Sequence, residues 1–433
     1  MVVIVGAGIV GAATAYYLSA SSGAGTTPIT ILDAAGPAAG SSGKAGAFLT
    51  NRPPAFRRGI GKNDNDKVSD KRRALFEKSF ELHQQLAKDL ELDSFCPIQN
   101  YQTVETKELD FDEDTDEIRM DGTYSSDDER IPGRRQQSNL NKLADNGRGT
   151  PLPGDAALVD PAELISSMMY KILSKKGSLF RKASISGLTL DPSGSCVTGI
   201  QIEGDLQETI PVEEDEPVVI ALGPWTSRIE DWLGIPMPIE GVLSTSMIYE
   251  EGILDSDIGT AFFFDDDSNG CHLEVFGRRD KSLYVSGCGE SQVISTRRLR
   301  SKERPSPTQP CDPDLARAAA ARTSLQNAGY NRGHASTNGP DQHPDATQAC
   351  IRPMSPDGIP VVGKLLDNVY VATGGGPWGI TWGPLMGQSL ASLINDDDDT
   401  PIRLGPLSPR RFNTLVYKTL LKSRSSEDDN ENY

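Results

Sequence analysis

The amino-acid sequence predicts an α/β protein of two domains, a Rossmann-like parallel sheet first and an antiparallel sheet second. Three observations predict it. An apolar strand, a glycine turn, a small-residue helix and a second apolar strand follow one another at the start of the chain, a complete βαβ unit within about thirty residues. Beyond Trp232 the apolar residues change from unbroken runs to period-two alternation, as in half-buried strands. The length, 433 residues, suits two domains at roughly 100–200 residues each.

Val2-Val3-Ile4-Val5 is apolar throughout, as a strand covered on both faces must be. Gly6-Ala7-Gly8-Ile9-Val10-Gly11 makes the turn, and Ala12–Ala20 has good helix propensity. Ser21–Pro28 reads as a loop into the strand Ile29–Leu32, which ends on Asp33. Leu75, Phe76, Leu82, Leu86 and Leu90 are spaced for an amphipathic helix over 72–92, with His83 as an ordinary helix histidine. Glu105–Arg135 holds twelve acidic residues and few large apolar ones, the composition of a solvated insertion. Asp160-Pro161 offers a cap and a first-turn proline to a helix over Leu164–Leu173. Strands are predicted at Ile185–Leu190, Val197–Ile202, Val218–Leu222, Leu243–Tyr249, Ala261–Phe264, Leu273–Phe276 and Leu283–Ser286. Residues 296–349 read as a linker with one helix near Leu315–Leu325. Val369–Ala372 is a last apolar strand, Gly383–Ile394 the helix after it, and the charged tail beyond Ser423 reads as disordered.

Lys and Arg number 43 against 61 Asp and Glu, a net charge of −18. So acidic a surface repels phosphate backbones and anionic membranes, which excludes nucleic acid and lipid headgroups as expected partners. The six cysteines and four histidines are scattered without metal-ligand spacing, so neither a metal site nor a disulfide framework is expected. Val2–Leu18 carries glycines where a membrane helix has large apolar side chains, and no other run is long enough to span. A soluble, cytoplasmic protein is the expectation; its oligomeric state is not legible.

The glycine turn carries chemistry. Gly6 permits the tight turn, Gly8 lets backbone approach a pyrophosphate, and Gly11 allows close packing of helix on strand. The helix start then offers N–H groups to phosphate, and Asp33, 22 residues after Gly11, is placed for a ribose diol. The motif alone does not choose between NAD and FAD.

Three further segments do. They are Gly40-Ser41-Ser42-Gly43-Lys44-Ala45-Gly46, Ala221-Leu222-Gly223-Pro224-Trp225, and two C-terminal blocks, Cys350–Gly363 and Val371–Ile380. With them the chain resembles the FAD-dependent amine and amino-acid oxidoreductases, the family of D-amino acid oxidase, glycine oxidase and sarcosine oxidase. Its Ser42–Gly46 wording is similar to a poorly characterised eukaryotic branch of oxidoreductase-like proteins. The resemblance frames nearly the whole chain, leaving out the acidic insertion and residues 296–349.

The resemblance implies FAD-domain pieces interleaved with a smaller antiparallel-sheet substrate domain. Residues 1–60, 155–235 and 350–400 would bind FAD; 61–154 and 236–349 would form the cap, including the acidic insertion 105–135; 401–433 would be an extension. It implies backbone contacts to the pyrophosphate from Gly8, Ile9 and Val10, with Asp33 on the ribose. Ser41, Ser42, Gly43, Lys44 and Ala45 would wrap the ribityl–phosphate region, with Lys44 adding charge, and Ile185 would meet adenine. Gly223, Trp225, Gly374 and Gly376-Pro377-Trp378-Gly379-Ile380 would lie along the flavin. Arg352 would clamp a substrate carboxylate, a task that suits a planar guanidinium fork; the alternative is a structural ion pair with Asp357 or another acid. Cys350 falls where sarcosine oxidase-like enzymes attach flavin covalently, but a non-covalent flavin is expected. Gly375 departs from the family, which often has histidine there.

The implied reaction is hydride transfer from a carbon beside a neutral amine nitrogen to flavin N5, giving an imine that water hydrolyses. The substrate would be a small carboxylate-bearing amine, and the final acceptor oxygen or another oxidant. The rival is a flavin-binding protein with a regulatory or interaction role and little turnover, which the acidic insertion and Gly375 favour. A nicotinamide dehydrogenase is disfavoured by the C-terminal glycine block.

Overall fold

In a computed structural model, residues 1–21, 27–52, 66–104, 140, 149–204, 208–301, 306–308, 311–330, 343–397 and 400–413 are described. The acidic segment 105–135 and the tail beyond Ser423 fall outside them. Val2–Val5 is fully buried between Val218–Ile220 and Ile29–Asp33 and runs parallel to both. Leu179–Lys182 and Val369–Thr373 extend this sheet on either side, again parallel, and Val361–Lys364 closes one edge antiparallel. Val3, Val5, Val218 and Ile220 pack on an antiparallel layer of Ile185–Leu190, Val197–Ile202 and Thr209–Pro211. Ile4, Val219 and Ala372 pack on the other side, against the helices Ile9–Ser21, Pro161–Leu173 and Gly379–Ile394. Cover on both faces is why these strands read as unbroken apolar runs. The strand predicted over Val218–Leu222 stops at Ile220, because Gly223–Arg228 begins a 3₁₀ turn.

Asp160 caps its helix as expected, accepting from the Ala162 N–H at 2.8 Å. The C-terminal helix begins at Gly379, four residues before the predicted start. Gly383 and Pro384 look like start signals in sequence, but they serve packing. A Cβ on Gly383 would lie 2.6 Å from Ile9 Cγ1, and one on Gly387 2.6 Å from Ala13 Cβ, so the two glycines let this helix cross the Ile9–Ser21 helix closely. Pro384 has no N–H for the carbonyl four residues back, which belongs to Ile380. His83, on the helix Asp66–Asp89, replaces the missing donor: Nε2–H is shared between Ile380 O at 3.0 Å and Thr381 O at 3.1 Å.

That role corrects the view of His83 as an ordinary helix histidine. It is 1% exposed, and burial draws its pKa down to about 4, although both carbonyls favour the proton. The imidazole is therefore neutral in the fold. Below pH 6.5 the unfolded chain takes a proton that the folded chain refuses, so stability present above that pH is lost as pH falls toward the folded value. Between pH 7.5 and 5 this group is expected to remove about 2 kcal/mol. Urea midpoints at the two pH values should show the loss in the native protein and a flatter response in His83→Gln; parallel losses in both would assign the acid sensitivity elsewhere.

The second sheet is organised by Glu240–Tyr249. It pairs with Gln292–Ile294 and Leu283–Ser286 along one side and with Ala346–Met354, over nine residue pairs, along the other. Glu274–Gly277, Thr260–Phe264, Asn100–Val104 and Gly149–Pro151 continue it. All its pairings are antiparallel except Thr260–Phe264 with Asn100–Val104. The helix expected near Leu315–Leu325 is present as Leu315–Asn327, but the linker reading of the rest of 296–349 is corrected: Thr296–Arg300 is helical and the strand Ala346–Met354 starts within it. This sheet has eight strands against six in the parallel one. The registers Ser244↔Cys350, Ser246↔Gln348, Tyr284↔Ile248, Phe276↔Tyr284 and Glu274↔Ser286 set these side chains, with Arg352, on one face. The opposite face carries Met247, Tyr249, Phe262, Val275 and Val285, packed with Ala318, Ala321 and Leu325 of the Leu315–Asn327 helix. Among the described residues no helix is long and apolar enough to cross a membrane.

Candidate functional site

A large cavity opens at the carboxyl ends of Val2–Val5, Ile29–Asp33 and Val218–Ile220, beneath the Glu274–Arg352 face of the second sheet. A parallel sheet binds ligands at this place, because the turns leaving its strands diverge there. Gly6, Gly8, Ile9, Val10 and Asp33 line one end, with Ser41, Ser42 and Ala45 beside them and Ile185 beyond. Gly223, Trp225, Gly374, Gly376, Pro377, Trp378, Gly379 and Ile380 line the remainder, and Arg352 faces it from the sheet. Gly11, Gly43 and Lys44 do not reach the lining.

The glycines divide by task. Gly6 has φ +111°, and a Cβ there would lie 2.2 Å from Ala221 O; one on Gly11 would lie 1.9 Å from Gly6 O. Both allow backbone to touch backbone. A Cβ on Gly43 would lie 2.3 Å from Ala38 O, which accepts the Gly43 N–H at 3.0 Å. Gly8 differs: the nearest atom to its added Cβ is Ser42 Oγ at 3.0 Å, a side-chain hydroxyl that can turn. Ser42 Oγ also accepts the Ile9 N–H at 3.1 Å. Asp33 accepts the Ala7 N–H at 2.9 Å and the Ala35 and Gly36 N–H groups at 2.8 Å each, and so pins the glycine turn to the end of its strand.

Lys44 corrects an expectation. Its ammonium donates to Ala349 O at 2.9 Å instead of approaching the phosphate region. The Ser41 hydroxyl donates to Ile351 O, and Gln348 Nε2 donates to Lys44 O at 3.1 Å. The Ser41–Lys44 loop is thereby fastened to the strand that carries Cys350 and Arg352.

Arg352 has no carboxylate within ion-pair distance among the described residues. Asp357, its suggested partner, pairs with Arg411 Nε at 2.8 Å. Burial works against the Arg352 charge, yet Cys350, Glu274 and Tyr284 outweigh it and hold the guanidinium above its ordinary value. Gly375 also has a structural reason: a Cβ there would lie 2.8 Å from Gly379 Cα, so the histidine frequent in the family has no room.

Sequence reasoning missed several lining residues. Phe263, Glu274, Phe276, Tyr284 and Ser286 line the cavity, and strand alternation was the signal available for them. Arg228 had no signal. It leaves a 3₁₀ turn, lines the cavity, and its buried Nε lacks any hydrogen-bond partner. A buried guanidinium Nε without a hydrogen-bond partner, a helix start lined by Gly8 and Val10, and open space around added Cβ atoms at Gly223 and Gly379 together fit an anionic dinucleotide such as FAD.

Comparison with known proteins agrees. The DAO family, described as FAD dependent oxidoreductase, matches residues 1–393. The oxidoreductase-like protein C1F5.03c of Schizosaccharomyces pombe is 31% identical over 206 residues, 46% of this chain and 47% of that protein, so the match spans about half of its length. The uncharacterized oxidoreductase YurR of Bacillus subtilis is 27% identical over 429 residues, 94% of this chain and 98% of its own. Among solved structures, iminodiacetate oxidase (IdaA) from Chelativorans sp. BNC1 has a TM-score of 0.63 at 17% identity, covering 94% of this chain and 99% of that one, a likeness of fold. With nine-tenths of its length matched to one family and the glycine cradle in place, the chain belongs to the DAO family of FAD dependent oxidoreductases, and its cofactor is FAD.

Proposed function

We propose that this flavoprotein oxidises the C–N bond of a small amino acid or secondary amine carboxylate to an imine, which water then hydrolyses. One observation carries the reading: the guanidinium of Arg352, held on a strand over the cavity with no carboxylate among the described residues within ion-pair distance. A planar fork with two parallel donors suits a carboxylate, and desolvation inside a cavity strengthens that contact. The relative named for iminodiacetate, a secondary amine bearing carboxylates, supports the same substrate class.

FAD, when bound, supplies the two-electron acceptor. The chain supplies position and exclusion of water. Phe276 and Tyr284 stack with centroids 6.0 Å apart, and Phe263 meets Phe276 edge-on at 5.6 Å, giving an apolar wall. Tyr284 is pushed up to about 12, first by burial, so it remains a neutral donor; its hydroxyl donates to Lys44 O at 3.2 Å. The fastened Ser41–Lys44 loop keeps the cofactor cradle and Arg352 in a fixed relation. We assign the FAD-binding role to 1–60, 155–235 and the part of 350–400 beyond the Ala346–Met354 strand, and the substrate-binding role to the eight-stranded sheet.

The test is anaerobic. A panel of amino acids and N-methyl amino acids should include members that bleach the oxidised flavin band, and readmitted oxygen or an added acceptor should restore it. Cys350 is read as a free thiol, so acid precipitation should leave the yellow colour in the supernatant. A flavin that dithionite reduces but no member of the panel does would favour the regulatory reading instead.

A further inference from the structure

Arg352 borders two cavities. Besides the large one it lines a small polar cavity of about 20 Å³, room for a single water, with Ser244, Ser291 and His272 in its wall. Glu274 is the other residue shared by both cavities. It stands directly opposite Ser286 in the sheet, and Ser286 Oγ donates to its Oε2 at 3.0 Å. This bond orients the Glu274 carboxylate on the sheet face.

An amino acid enters such a site as an ammonium carboxylate. Its nitrogen lone pair is then bound to a proton, and the lone pair is needed to push electrons out of the adjacent C–H bond. Something must take that proton. Among the described residues lining the large cavity only Asp33 and Glu274 carry carboxylates, and Asp33 holds three backbone N–H groups at the glycine turn. Tyr284, from the neighbouring strand, is neutral and a donor.

We propose that Glu274 receives the substrate's ammonium group and takes its proton, acting as the catalytic base of the amino-acid oxidation proposed above, on which this inference rests. One N–H bond breaks and one O–H bond forms on Glu274. The proton then leaves by way of the small cavity, which has room for one water, toward His272, whose side chain is 44% exposed. The carboxylate of the substrate lies on Arg352 meanwhile, so the pair reads the two ends of an amino acid at once. Among the described residues, Arg352 and Cys350 on one strand, Tyr284 on another, and Cys288 and His272 at the small cavity face Glu274.

Two unreactive ligands test this in the oxidised holoprotein by their effect on the flavin spectrum. 2-Aminoisobutyrate has an ammonium but no α-hydrogen; pivalate puts a methyl in its place. Glu274→Gln is expected to weaken 2-aminoisobutyrate about tenfold to a hundredfold, as loss of a charge-assisted hydrogen bond does, and to leave pivalate as tight or tighter. With a reducing substrate, the anaerobic rate should fall about a hundredfold or more near pH 7 and recover about tenfold per pH unit as the free amine becomes available. If the variant loses FAD, Ser286→Ala gives the same comparison with a smaller change. Equal effects on both ligands, or a rate loss independent of pH, would overturn the role of Glu274 alone. Failure of both ligands to bind the native protein would instead remove the amino-acid reading, and Glu274 with it.

Discussion

Gly8→Val is expected to yield a folded protein that purifies without yellow colour. The added Cβ meets only Ser42 Oγ, at 3.0 Å, so the polypeptide can accommodate it by a small side-chain turn. The branched side chain occupies the space that a pyrophosphate needs beside the start of the Ile9–Ser21 helix, and the cofactor cannot. Gly6→Ala is the control with the opposite outcome. Its Cβ would lie 2.2 Å from a backbone oxygen at a φ of +111°, which no side-chain movement relieves. A loss of about 3 kcal/mol or failure to fold is expected there. Far-UV circular dichroism and the ratio of flavin to protein absorbance separate the two cases. Normal FAD content in Gly8→Val would mean that the dinucleotide lies elsewhere.

The contrast shows what a sequence reader can recover. Val2–Val5, the glycine turn and Asp33 were legible because each is a local requirement: an apolar run, a tight turn and a carboxylate at a strand end. The strand Ala346–Met354 was not. Its residues, Ala-Thr-Gln-Ala-Cys-Ile-Arg-Pro-Met, show no clean alternation and contain a proline, and their strand conformation comes from nine pairings with residues about a hundred positions earlier. Arg352 was found through motif wording, but its cavity partners Glu274, Ser286 and Tyr284 depend on register between strands, which no single strand encodes. The C-terminal helix was misjudged because glycine and proline normally punctuate. At 383 and 384 the glycine serves a helix crossing, and the histidine at 83 supplies the hydrogen bond that the proline forgoes. Lys44 was misplaced for a similar reason. A charge beside a predicted phosphate site suggests charge recognition, while its actual partner, Ala349 O, lies 305 residues away.

Arg352→Lys should keep the positive charge and lose the fork. Charge-assisted hydrogen bonds contribute roughly 1.5–3 kcal/mol, so benzoate and small carboxylic acids should bind about tenfold to a hundredfold more weakly, read from the flavin spectrum. FAD content should stay near normal, because the guanidinium sits on the sheet face with Glu274 and Tyr284 while the phosphate end of the cavity is formed by the glycine turn. Thermal stability should also hold. Asp357 is already paired with Arg411, no carboxylate among the described residues lies within ion-pair distance of Arg352, and lysine keeps the charge in place, so no ion pair is lost. A structural role predicts the reverse: a lower melting temperature, poorer flavin retention and an unchanged benzoate titration. The unchanged titration by itself would take Arg352 out of the substrate site. Arg411→Ala completes the comparison, since it should cost stability through the Asp357 pair and leave carboxylate binding alone.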